Sequence, residues 1–321
     1  MADSRVALDF TRIRNEIHNE TQLALLEDFV QTINTQGAVV IKNVGLDDDT
    51  IQQAFSWTRL LFDLDGSTKE GCQHPAEPLP HRGYSAIGQE RSGGNAFNYK
   101  ESFDFGPAHD NLYPNIWPQQ TPHSNFCPSE FRAFMERLFL NLHDVQLTIL
   151  KALEEYLVVK GRLCAMHNLM QNEIRLLHYP SVPNAVLSNP KKAVRFGEHT
   201  DFGTITILLQ NQPGGLQFQN YAGEWHEINS SPTDLVILFG DTLQRWTNDR
   251  LWAGKHRVVS PIARQDELET GERYSIAYFC KPNRDQSVGS LPEFMAHGDS
   301  TRYEDLTAEE YNQRQMRNLY G

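Results

Sequence analysis

The sequence predicts an α+β chain with a mainly β core, a barrel-like double sheet flanked by helices. Three observations point to it. From about residue 172 the apolar pattern changes from a helical period to a strand-like one. Seven short candidate strands then follow at near-regular spacing, separated by Gly, Pro and Asn turns such as Pro213-Gly214-Gly215. Before them runs a long amphipathic stretch, 129–157, with Phe134, Leu138, Val145 and Ile149 on one stripe.

The elements follow in order. Leu26, Val30 and Ile33 share a helical face with Phe29 beside them, and Gly37 ends that helix. Ala38-Val39-Val40-Ile41 is short, branched and apolar, the pattern of a buried strand. A second helix covers Ile51 to Phe62. Residues 64–127 are rich in Gly, Pro, Asn and Ser, with turn-prone His81-Arg82-Gly83-Tyr84 and Ser92-Gly93-Gly94-Asn95. Long loops inside a compact domain tend to be functional, and Phe97, Tyr99, Phe103 and Phe105 argue for order here. Pro128 is a start signal for the long helix and Ser129 a suitable N-cap. The candidate strands are Ile174–Tyr179, Thr204–Leu209, Leu216–Phe218, Glu224–Ile228, Leu235–Phe239, His256–Val259 and Tyr274–Phe279. With no repeat and no clear boundary, the expected organisation is one domain over 1–321. It divides into a helical and loop region 1–127, a scaffold helix region 128–171, a β core 172–285 and a C-terminal helical tail 286–321.

Bulk properties exclude several classes. The chain has 321 residues, is 39% hydrophobic and 22% charged, and carries a formal net charge of −12. That balance argues against a nucleic-acid or anionic-membrane partner. It leaves room for an anionic small molecule, because one buried Arg holds a carboxylate locally. Cys72, Cys127, Cys164 and Cys280 form no C-x-x-C pair and are expected to be reduced thiols. The opening MADSRVALDF has no signal-peptide pattern, and no apolar run approaches the ~18 residues of a membrane span. The expected location is cytoplasmic. Nothing in the sequence indicates the oligomeric state.

The chemistry concentrates in two places. His199-Thr200-Asp201 puts an imidazole and a carboxylate two residues apart, on one face if the segment is a strand. His256 follows several strands later, where the sheet can return to the same mouth. Two His and one carboxylate leave open positions on a six-coordinate metal, the arrangement of non-haem iron(II) oxygenases. A satisfied core histidine beside a turn aspartate remains open on spacing alone. His297-Gly298-Asp299 repeats the short pattern but has no later histidine to complete a site. Arg273-Tyr274-Ser275 offers a guanidinium fork and a hydroxyl on one strand face, a carboxylate cradle. A buried Arg needs an anion, either a dicarboxylic cosubstrate or a protein Asp or Glu.

Longer motifs extend these points: HRGYSAIG from His81, KESFDFG from Lys100, RLLHYP from Arg175, GEHTDFGTITILLQ from Gly197, GGLQ from Gly214, RWTNDRLWAGKHRVV from Arg245 and RYSIAYFCKPN from Arg273. Over most of its length the chain resembles the 2-oxoglutarate- and iron(II)-dependent oxygenases of the isopenicillin N synthase-like superfamily, and most closely the fungal thymine-7-hydroxylase type. The resemblance implies a double-stranded β-helix, or jelly-roll. It implies Fe(II) held by His199, Asp201 and His256, and 2-oxoglutarate held by Arg273 and Ser275 with Tyr179 near the cosubstrate. Many members carry Asn two residues before that Tyr, where this chain has Leu177. For the substrate it implies Arg175, Phe279 and Phe202, the last standing where the thymine enzyme has a ring-stacking Tyr. Arg175 pairing with a protein carboxylate, and the two Phe as plain core, are the alternatives. Tyr84 lies in the Arg82–Gly88 loop, which with the Lys100–Gly106 strand is expected to form one wall of the site. The implied reaction uses O2 and oxidises a C–H, by methyl hydroxylation, of a small aromatic or heteroaromatic substrate, with release of succinate and CO2. Fungal secondary metabolism or pyrimidine salvage is the implied setting. An iron oxidase working without 2-oxoglutarate is the competing reading, since isopenicillin N synthase also carries an Arg-x-Ser.

Overall fold

The computed structural model describes residues 7–12, 20–75, 79–91, 96–120, 125–260, 268–295 and 301–320. Two sheets dominate. The larger has eight strands, in the order Leu8–Asp9, Val39–Lys42, Leu235–Phe239, Ile205–Gln210, Arg273–Cys280, Glu173–Tyr179, Glu101–Phe105 and Gly83–Ser85. Only the first pair is parallel. The smaller has four strands, Trp225–Glu227, Leu216–Gln219, His256–Val258 and Phe196–His199.

Alternation along the larger sheet sorts its side chains. Ile174, Leu176, Ile205, Ile207, Leu235, Ile237, Ile276 and Tyr278 belong to the main apolar core, which includes Phe131, Leu138 and Ile149 of the long helix. Leu177, Tyr179, Leu208, Val236, Leu238 and Ala277 alternate with them and pack with Leu216, Phe218 and Val258 of the smaller sheet. One face of the large sheet is therefore covered by helices, and the other looks across a second core at the small sheet.

The helices are Glu20–Gln36, Asp48–Phe62 and Pro128–Leu157, with Ala308–Tyr320 near the C-terminus. Gly37 ends the first with a φ of +85°, a conformation that favours glycine. The long helix differs from expectation at its start. Pro128 opens it, but Cys127 occupies the N-cap and Ser129 lies inside, its hydroxyl 3.3 Å from the Cys127 sulfur. Pro at the first helical position removes one orphan donor, and no side-chain cap is formed there. The stripe Phe134, Leu138, Val145 and Ile149 is buried as expected. All four cysteines are free thiols. Among the described residues no helix is long and apolar enough to cross a membrane. The Ser92–Asn95 turn and His297-Gly298-Asp299 lie outside the described residues.

Candidate active site

His256 and His199 face each other directly across the small sheet, with Phe218 opposite His256 on its other side. The strand ends at His199, so Asp201 reaches the histidines from the turn that follows and not from a shared strand face. Its Oδ1 lies 3.7 Å from Nε2 of each histidine. One ligand atom from each of the three residues falls within 4.8 Å of the others. Each imidazole directs Nδ1 at a backbone carbonyl, His199 to Gly197 at 2.8 Å and His256 to Gly254 at 3.4 Å. A proton on Nδ1 leaves the Nε2 lone pair turned inward for a metal. Burial, followed by the neighbouring His256, pushes the His199 imidazole down to about 3, so it is neutral and ready to ligate. Phe196 stacks on His199 and Phe218 on His256, which shields the ligands from water.

The turn carrying Asp201 is braced from two sides. Thr206 donates its hydroxyl to Asp201 Oδ2 at 2.6 Å. The Asp241 amide donates to the Asp201 carbonyl at 2.8 Å, and the Thr242 hydroxyl to the Phe202 carbonyl at 2.7 Å. Gly240 sits so close that a Cβ there would lie 2.4 Å from the Gly203 carbonyl oxygen. Sequence reading missed Thr206. Its signal was available in the alternation that places it on the face shared with Leu208 and Gln210.

Arg273 and Ser275 sit in the large sheet on the face turned toward the metal ligands. Arg273 pairs with Tyr179 on one neighbouring strand, and Ser275 with Gln210 on the other. Arg273 is 4% exposed, donates to Gln210 Oε1 at 2.8 Å and Ser275 Oγ at 3.2 Å, and lies over the Tyr179 ring at 5.1 Å. Among the described residues no carboxylate pairs with it, and its buried Nε has no hydrogen-bond partner. A buried guanidinium with a bare N–H calls for an anion from outside the chain. The far carboxylate of 2-oxoglutarate fits that demand. Two imidazoles and a carboxylate, with no thiolate, likewise fit iron(II). Arg195, also missed by sequence reading, is a second buried guanidinium near Tyr179. It is held by the carbonyls of Pro180 at 2.5 Å, Thr270 at 3.2 Å and Gly271 at 3.0 Å.

The expected substrate residues divide. Arg175 and Phe279 lie on the metal-facing side of the large sheet, the guanidinium 5.9 Å from the Phe279 ring centroid. Arg175 also makes the ion pairs weighed as its alternative, with Asp104 at 2.7 Å and Glu90 at 3.3 Å. Phe202 follows Asp201 directly and lines a small cavity with Glu173, Thr242, Lys281 and Tyr311. Tyr84 is a correction. It pairs with Phe103, and both belong to the helix-covered core. Its hydroxyl donates to Glu101 at 2.5 Å on the side of the sheet away from the metal ligands. Ser85 and Gly83, its neighbours, take the metal-facing positions opposite Ser102 and Asp104.

Comparison with known proteins agrees with this geometry. Residues 165–282 match the 2OG-Fe(II) oxygenase superfamily, and residues 7–120 match the N-terminal family described for non-haem dioxygenase in morphine synthesis. The 2-oxoglutarate-dependent dioxygenase htyE of Aspergillus rugulosus is 38% identical, over 98% of this chain and 98% of the relative. The proline hydroxylase buaE of Petromyces alliaceus is 36% identical, again over 98% of each. The thymine-7-hydroxylase of Neurospora crassa, solved in complex with alpha-KG, has a TM-score of 0.86 at 29% identity, covering 97% of this chain and 95% of that one. The same protein has been solved with alpha-KG and thymine, at a TM-score of 0.86 and 28% identity over 97% of this chain and 96% of that one. Similarity this complete, on a fold that brings His199, Asp201 and His256 together, places the chain in the 2OG-Fe(II) oxygenase superfamily as a dioxygenase dependent on iron(II) and 2-oxoglutarate.

Proposed function

We propose that this dioxygenase hydroxylates a C–H bond of a small ring-bearing substrate, with a methyl-bearing heteroaromatic ring as the leading type. The observation that carries the reading is the Phe279 ring beneath the Arg175 guanidinium, on the same sheet face as Arg273 and Ser275. A flat ring has a stacking partner there and a polar group beside it. The thymine bound by the Neurospora enzyme and the proline named for buaE are both small rings, which supports it. Two sheets around a shared apolar cluster support reading the fold as a double-stranded β-helix.

His199, Asp201 and His256 would hold iron(II). Once bound, iron and 2-oxoglutarate supply the oxidising chemistry, with succinate and CO2 as co-products. The chain's own part is position and exclusion. Arg273 and Ser275 take the far carboxylate and set the angle of the cosubstrate, with Tyr179 against the guanidinium. Phe196 and Phe218 keep water from the ligands. Phe279, Phe202 and Arg175 fix which C–H faces the metal.

The test is succinate formation from 2-oxoglutarate with iron(II) under air, with mass spectrometry of the added compound. A ring substrate should stimulate succinate release and gain one oxygen atom, and His199→Ala should abolish both. Oxidation of open-chain compounds alone would refute the ring-substrate reading.

A further inference from the structure

We propose that Asp104 selects the substrate by accepting a hydrogen bond from one of its N–H groups. The ligand class is a small neutral or zwitterionic molecule with an N–H donor near the oxidised carbon. This rests on the dioxygenase reading above and deepens it.

Asp104 is 1% exposed, and its Oδ1 accepts from Arg175 Nε at 2.7 Å. Its Oδ2 is buried and has no hydrogen-bond partner among the described residues. An ionised carboxylate only accepts, so the bare oxygen can be satisfied only by a donor. A buried acceptor left in this state is rare in folded proteins and calls for an explanation.

Placement follows from the pairing. Asp104 lies opposite Arg175, and Arg175 lies opposite Ala277, between Ser275 and Phe279. Asp104 therefore belongs to the same face as the cosubstrate pair. Lys100, near Asp104, places its ammonium 5.3 Å from the Phe196 ring, and that ring stacks on His199. The charged wall is thus one aromatic ring away from a metal ligand.

Charge decides the ligand class. Lys100 pairs with Glu90 at 2.6 Å, and Arg175 with both Glu90 and Asp104. Two cations face two carboxylates, and burial keeps His81 neutral, so it too accepts from Arg175. Nε, Nη1 and Nη2 of Arg175 all have protein acceptors. A lone anion would have to displace these partners, whereas a donor meets an oxygen already waiting. Burial raises the Asp104 carboxyl to about 6 against the pull of Arg175.

The test uses matched probes on the protein loaded with metal and 2-oxoglutarate without oxygen. L-Proline, the other free amino acids and thymine are titrated by calorimetry. So are N,N-dimethylproline and 1,3-dimethylthymine, which have no N–H. At least one N–H probe is expected to bind, with its methylated counterpart weaker by about 10-fold or more. Asp104→Asn turns the bare acceptor into a donor and should weaken the same probe by about 10-fold or more. Retained 2-oxoglutarate binding shows that the variant is folded. Methylated probes that bind as well as their parents would overturn the proposal, as would a panel in which no N–H probe binds. So would D104N binding with parental affinity. The wild-type pair decides even if D104N fails to fold. Failure of 2-oxoglutarate itself to bind would sink the dioxygenase reading instead.

Discussion

Thr206 holds one oxygen of Asp201, which leaves the other oxygen equidistant from the two imidazoles. It touches no ligand atom of the metal, yet it fixes the orientation of one. Thr206→Val keeps the shape and removes the hydroxyl. Iron(II) or Mn(II) affinity should fall about 10- to 100-fold in a metal titration, with the fold intact. Arg273 calls for a different measurement. Arg273→Gln removes the charge facing the cosubstrate, and the KM for 2-oxoglutarate should rise about 100-fold. Glu173 is buried between Arg82 at 3.0 Å and Lys281. Burial alone would raise its carboxyl, but Lys281 and Arg82 override that and hold it down to about 2. A carboxyl depressed in the folded state gives stability that is full above its unfolded pKa of about 4.3 and is lost as pH falls toward 2. Acid unfolding monitored by circular dichroism should therefore include a proton uptake in that window, and Glu173→Gln should remove it. The clustering of His199, Asp201 and His256 and the burial of Arg273 and Ser275 were legible at this scale because the motifs around them are long. Thr206, Gln210 and Arg195 were not, because hydroxyl, amide and surface-type residues act here only through neighbours that the chain brings from far away.

At the level of elements, the seven expected strands of the β core lie within a residue or two of their expected bounds, while Phe196–His199, the strand that carries His199, was not among them. Leu235–Phe239 coincides with expectation, and Ile174–Tyr179 gains only Glu173. Short apolar alternation bounded by turns is a strong local signal, and it was enough. Tyr84 shows where that signal fails. Gly-Tyr-Ser is a three-residue strand with no alternation of its own, so its facing is dictated by its register with Phe103. Asp201 is another case. The two-residue spacing was right, but the element ends at His199, and the carboxylate is placed by the Asp241 and Thr242 contacts. That turn is also where backbone is packed most tightly. Gly240→Ala would drive a methyl against the Gly203 and Asp201 carbonyl oxygens, at 2.4 and 2.9 Å. The expected cost is about 1–3 kcal/mol of stability in denaturant titration, together with lower bound metal.

For the molecule as a whole, metal and cosubstrate should act as ligands of the folded state only, since folding brings His256 to His199 and Asp201 from a distant part of the chain. Mn(II) with 2-oxoglutarate, at about 100 times the dissociation constant, should add about 2.7 kcal/mol of stability. A rise in melting temperature that a chelator reverses would show it, and no rise would mean that the site is not preformed. The two-sheet arrangement was legible from the count and spacing of strands. Which side of the large sheet carries chemistry was not, because that depends on where the helices pack.

That partition has a consequence for how such a chain can change. On the strands of Arg175 and Arg273, neighbouring residues answer to different demands, one to the helix-packed core and the next to the ligand. Substitutions at Ala277 and Phe279 are therefore expected to redirect what is oxidised while Ile174, Ile276 and Tyr278 continue to hold the protein together. A mutational library confined to the first set should yield folded proteins with altered selectivity, and one confined to the second should mostly yield unfolded ones. An enzyme built this way can diversify its substrates without first acquiring spare stability.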